Sequence, residues 1–159
     1  MVAFSNRKEV INKAWYHGSG TLFNEFNTSG IGSHFGSLEQ ALAAPGGRKY
    51  FYEVSLSVHN PLELDDLYSW EPYDLCETIE DLFSMDLHEL KMQICSAQGN
   101  QEKEIHFQSE VKSIIQAEGY DGIIYQNSME GPGCSVIAFE SNQIRIGKIR
   151  SRKEHISLR

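Results

Sequence analysis

The sequence predicts an α+β fold, a mostly antiparallel β-sheet core with inserted helices. Three observations point there. Residues 50–58 set Phe51, Glu53, Ser55 and Ser57 against Tyr52, Val54, Leu56 and Val58, the alternation of a strand with one buried face. Residues 74–83, 86–97 and 101–118 instead carry Leu75, Ile79, Leu82, Phe83, then Leu87, Leu90, Ile94, then Ile105, Val111, Ile114 and Ile115 at helical spacing. Three β-rich pieces, 122–126, 135–139 and 144–149, come after these helices. Helices and strands are thus grouped, whereas a doubly wound fold would alternate them.

The remaining elements follow from their punctuation. Residues 5–12, from Ser5, read as a short helix with Val10 and Ile11 apolar. Residues 14–17 read as the first core strand, ended by Gly18-Ser19-Gly20. A polar connection follows, with Phe23 and Phe26 as its anchors to the core. His34-Phe35-Gly36 is a brief extended piece, and Ser37 is an N-cap for a helix over 38–44 that Pro45-Gly46-Gly47 stops. Asn60-Pro61 ends the long alternating strand, and Gly119 closes the last helix of the middle region. Residues 1–146 are expected to form a single domain, and 147–159 a basic C-terminal strand or tail that frays.

Length and charge exclude several classes. A chain of 159 residues with 40% apolar content supports one core of ordinary size. It holds no apolar run long enough to span a membrane. Residues 1–12 lack an apolar stretch of the signal-peptide kind, so a cytoplasmic location is expected, in the producing or infected cell. Cys76, Cys95 and Cys134 have no metal-binding or framework spacing and are expected to be reduced, with no metal. The net charge of −8 argues against general nucleic-acid binding. From Tyr50 to Leu90 there are eleven acids and no Lys or Arg, which suits either a solvated face or a basic partner. No G-x-G-x-x-G and no P-loop occur, which removes the two commonest nucleotide-binding turns.

Three segments place polar side chains where a bare strand needs none. Tyr16-His17-Gly18-Ser19 puts an imidazole at a strand end beside a backbone that a ligand can approach closely. Ser33-His34-Phe35-Gly36-Ser37 sets two rings near glycines, either to stack on a flat heterocycle or to fill a tight turn. Tyr120 to Glu130 runs a hydrophobic strand into a polar loop bearing Asn127 and Glu130. Each segment taken alone also has a purely structural reading.

Together, and in this order, they resemble the small ADP-ribosyltransferase-like domains of phage and bacterial toxin-like proteins. Those domains carry Y-H-G-[ST], H-F-G-[TS], N-P-L with acids, G-Y-D-G-I-[IV]-Y-x-N-x-x-E, and S-x-I-x-F before Q-I. The matching stretches here are Tyr16 to Ser19, His34 to Ser37, Asn60 to Asp66, Gly119 to Glu130, and Ser135 to Phe139 before Gln143-Ile144. The likeness spans roughly residues 15–146, and only the helical middle lacks a motif. Some ADP-ribosylating anti-CRISPR proteins of phage are similar in a looser way.

The resemblance implies a split, mostly antiparallel sheet and an enzyme using NAD as substrate. It implies transfer of ADP-ribose to a macromolecular acceptor, a protein before a nucleic acid, with release of nicotinamide and no metal. His17 would touch a ribose and take part in catalysis, and Gly18 and Ser19 would border the nicotinamide. His34 and Phe35 are both candidates to stack on it. Ser37 would cap its helix and line the pocket, Arg48 would pair with the pyrophosphate, and Tyr125 and Asn127 would complete the NAD site. The catalytic carboxylate is expected at Glu130, with Asp121 second. Many members carry a Glu directly before the next strand, where this chain has Cys134-Ser135, and Glu140 lies at that strand's far end. Two alternatives stay open: an NAD glycohydrolase using the same site, and a non-catalytic acidic protein that binds a basic surface or mimics nucleic acid.

Overall fold

The computed structural model describes residues 7–44 and 47–156. Ser5, Pro45 and Gly46, used above as start and stop signals, and residues 157–159 of the expected tail lie outside them. The expected α+β arrangement is what the chain adopts, with the strands divided between two sheets.

The first sheet orders β1 (Trp15–Ser19), β3 (Tyr50–Leu56) and β7 (Ile144–Ser151), all antiparallel. The second orders β2 (Ser33–Phe35), β6 (Cys134–Ala138), β5 (Gly122–Gln126) and β4 (Pro61–Leu64). Its first two pairings are antiparallel, while β4 runs parallel to β5. A parallel neighbour requires a long crossover. Helices α3 (Pro72–Phe83), α4 (His88–Ser96) and α5 (Gln101–Ala117) supply it.

The strand sequences explain the layering. All of Gly122 to Tyr125 is buried, the pattern of a strand covered on both faces. Ile123 and Tyr125 join Leu62, Leu64, Ile137 and Phe139 against Leu75, Ile79, Val111 and Ile115 of the helices. Ile124, Val136 and Ala138 face the other way, onto Trp15, Tyr52, Val54 and Leu56 of the first sheet. Helices, second sheet and first sheet thus form three layers around two apolar clusters. At the open ends of β1 and β2 the two sheets touch: Tyr16 N donates to Gly36 O at 2.9 Å and Gly36 N to Tyr16 O at 3.0 Å.

Several sequence expectations change. Asn60-Pro61 does not end the β structure. Leu62 and Leu64 are buried around exposed Glu63, and Pro61 sits at the first residue of an edge strand, where its missing N–H costs no ladder bond. In α5 the buried line is Phe107, Val111 and Ile115, and Ile105 is exposed. The basic segment from Gly147 begins as a strand, the first of its two expected forms. Strand β7 continues to Ser151 and α6 (Arg152–Ile156) follows it. Arg152 ties that end down, its side chain donating to the carbonyls of Arg48 and Leu42 and its backbone N–H to Lys49 O. No helix among the described residues is long and apolar enough to cross a membrane.

Candidate functional site

A cleft opens where the two sheets part. Tyr16, His17, Gly18, His34, Phe35, Gly36, Arg48, Tyr125, Glu130 and Ser135 line it, with Ala41 and Ala44 of helix α2 (Leu38–Ala43 and the residue after it). Its volume is about 160 Å³. Pockets that enclose drug-sized ligands run to ~300 Å³ and above. This one is smaller, so a larger ligand would extend beyond it.

His17 is fixed by one hydrogen bond and three rings. Its Nδ1 lies 2.8 Å from His34 O. A carbonyl only accepts, so Nδ1 carries the hydrogen and the neutral ring keeps Nε2 as an acceptor. Phe23, Phe26 and Phe35 surround the imidazole with centroids at 6.5, 5.2 and 5.8 Å. Burial lowers its pKa, and the nearby Arg48 charge lowers it further, against the opposing pull of the His34 carbonyl and Glu130. The ring is therefore uncharged at neutral pH.

His34 and Phe35 leave β2 on opposite faces, as successive strand residues must. His34 Nδ1 meets the Tyr125 hydroxyl at 3.1 Å, and Trp70 packs edge-on at 5.2 Å. Burial first, then the proximity of His17, pushes the His34 pKa down to about 4. The same burial, with Glu130 and Asp66 near, pushes Tyr125 up to about 12. Phe35 is 1% exposed and packs on Phe26. Its ring fills the space between the sheets and has little face to offer a ligand.

Among the described residues, Glu130 is the acidic residue that lines the cleft beside His17 and Arg48. Asn127 Nδ2 donates to its Oε2 at 3.0 Å, and Glu130 N donates back to Asn127 Oδ1 at 3.2 Å. The other two acids weighed from sequence are engaged elsewhere. Asp121 accepts from His59 N and Asn60 N at 2.7 and 2.8 Å, at the opposite end of β5. Glu140 accepts from Gln116 on the surface.

Arg48 completes the charge pattern. Its Nε is buried with no hydrogen-bond partner among the described residues. Such an orphan donor is costly unless a ligand or water meets it. Gly18 makes room for this side chain, because a Cβ there would lie 2.9 Å from Arg48 Cγ and 3.1 Å from Ala41 O.

Seven of the sequence-chosen residues thus meet in one place: His17, Gly18, His34, Phe35, Arg48, Tyr125 and Glu130. Three do not line the cleft. The Ser19 hydroxyl closes a local turn with Thr21 N and O. Ser37 caps α2 as expected, accepting from Gln40 N at 3.1 Å, and does not line the cleft. Asn127 is 5% exposed and acts beneath Glu130. Sequence reasoning missed Trp70 and Gln40, and took Tyr16 and Ser135 only as motif residues without a role of their own. Gln40 had a local signal, as the last residue of the capping box Ser37-Leu38-Glu39-Gln40, and Trp70 had none.

No protein-family profile matches the chain, and no curated protein does. One solved structure, titled "Crystal structure of an anti-CRISPR protein", aligns with a TM-score of 0.41 at 16% identity, over 87% of this chain and 94% of that one.

Proposed function

We propose that this chain is an ADP-ribosyltransferase that cleaves NAD and passes ADP-ribose to a macromolecular acceptor, most readily a protein. The observation that carries the reading is the convergence on one cleft of a neutral imidazole, an orphaned buried guanidinium nitrogen and a single carboxylate. These are the residues that the likeness to ADP-ribosyltransferase-like domains selects.

Each group fits a part of NAD. The cleft has room for the nicotinamide ring and part of its ribose, and the rest of NAD would extend outside it. His17 Nε2 accepts from a ribose hydroxyl, and the Gly18 backbone borders the nicotinamide amide. Arg48 offers its unpaired Nε to the pyrophosphate, as guanidinium groups do. Breaking the nicotinamide–ribose C–N bond leaves its electron pair on nicotinamide and positive charge at the sugar, as in glycoside hydrolysis. Glu130 offsets that charge. The acceptor then bonds to the sugar carbon and loses a proton, so the reaction needs no metal. Preorganised charge of this kind contributes about 10²–10³ in rate.

Nicotinamide release and transfer of label from NAD marked in its adenylate half test the proposal, in lysates of several bacteria. Wild type is expected to release nicotinamide and label an acceptor, and Glu130→Gln to lose ~10²–10³ of that rate. Nicotinamide without labelled acceptor would identify a glycohydrolase. Neither product from wild type would overturn the proposal.

A further inference from the structure

We infer that Gln40 is the positioning residue for Glu130, a clamp that fixes the carboxylate against the opposite wall of the cleft. The inference rests on the catalytic reading of Glu130 given above.

Glu130 stands on the loop between β5 and β6, and a loop does not by itself hold a carboxylate to the tolerance that catalysis needs. Beneath it lies a chain of neutral polar groups. Asn127 Nδ2 uses one hydrogen on Glu130 Oε2 and the other on Ser135 Oγ at 2.9 Å. The Ser135 hydroxyl donates to Gln40 Oε1 at 3.4 Å. Gln40 Nε2 divides its two hydrogens between Gly131 O and Gly133 O, both at 3.4 Å, holding the turn that follows Glu130. Gln40, Ser135 and Asn127 are 1%, 2% and 5% exposed. Burying three polar side chains is unfavourable unless every donor is met, and here each donor is.

The other half of Gln40 reaches the facing wall. Its Oε1 accepts from Ser37 N at 2.8 Å. Ser37 follows Gly36, which bridges to Tyr16, the neighbour of His17. Gly36 has no space for a side chain, since a Cβ would fall 2.5 Å from Gln40 Oε1. One glutamine therefore spans from the carboxylate loop to Ser37, whose neighbour Gly36 bridges to the strand that bears the imidazole. The capping box alone does not require it. Glutamate at this position caps equally well, but its two oxygens only accept and would face the Gly131 and Gly133 carbonyls in conflict. The amide is needed for the loop.

The experiment compares Gln40→Glu, Gln40→Met and Ser135→Ala, the last leaving the cap untouched, in the full chain and again in the Glu130→Gln background. Backbone hydrogen exchange over residues 128–133 is expected to speed up in each, without any need for NAD. The kcat for nicotinamide release is expected to fall between about tenfold and ~10²-fold with KM for NAD unchanged, and to fall no further when Glu130→Gln is already present. Unchanged exchange at 128–133 in variants that fold would overturn the clamp. So would losses that multiply with that of Glu130→Gln. If wild type releases no nicotinamide, the proposed activity fails, and the exchange result alone decides the clamp.

Discussion

Lowering the pH should destabilise this protein through His34 before its carboxylates begin to titrate. The folded chain holds this imidazole down at about 4, because it is partly buried beside Tyr125, Trp70 and His17. In the unfolded chain it titrates near 6.5. The folded value is the lower one, so between the two the unfolded state takes up a proton that the folded state refuses. Stability is therefore complete above about 6.5, is lost as the pH falls towards 4, and levels off below that. One pKa unit corresponds to about 1.4 kcal/mol. The whole window is then worth about 3 kcal/mol, and the step from pH 7 to pH 5 about 2 kcal/mol. His17 is shifted in the same direction and adds to the slope. The assay is urea unfolding at both pH values for wild type and for His34→Gln, which keeps an amide facing Tyr125. The variant should lose about 2 kcal/mol less than wild type between them. Equal losses would refute the reasoning, since His34 would then not be titrating across folding.

Other expectations follow from single contacts. Tyr52→Phe removes a hydroxyl that donates to Phe23 O and accepts from Phe23 N, and should cost about 1–3 kcal/mol in urea unfolding. Part of that cost should appear as faster exchange at the Phe23 amide, because this loop covers His17. Ile115→Ala empties a fully buried position in the helix-side cluster and should cost ~2–5 kcal/mol by the same assay. Gly18→Ala would put a methyl 2.9 Å from Arg48 Cγ, so calorimetric titration should show NAD binding weakened by about tenfold, or ~1.4 kcal/mol. Unaltered binding would separate Arg48 from the ligand.

How much could be read from sequence depended on whether a residue's role was set by near neighbours. Strand β3 was legible because its alternation is internal, and α3 because Leu75 and Ile79 recur on one face. Strand β4 was not, because Pro61 looks like a terminator and only pairing with β5, across three helices, makes it a strand. The cleft was legible where motifs carried the side chains, at His17, Gly18 and Glu130, while Arg48 lies outside every motif and was chosen for its guanidinium alone. The cleft was not legible where a small hydroxyl is used locally: Ser19 closes a turn, and Ser37 makes the expected cap without lining the cleft. Gln40 shows the remaining limit. Its capping role is three residues away in sequence, while its bonds to Gly131 and Gly133 cross more than ninety residues. Trp70 likewise reaches His34 only through the folded loop before α3.

The most direct test of the central claim is a crystal structure of this chain with a non-hydrolysable NAD analogue. The account predicts nicotinamide and its ribose in the cleft between His17 and Tyr125, with Glu130 within hydrogen-bond reach of that ribose and the Arg48 Nε paired with a phosphate oxygen. An analogue bound elsewhere, or seated in the cleft with Glu130 turned away from the sugar, would contradict it.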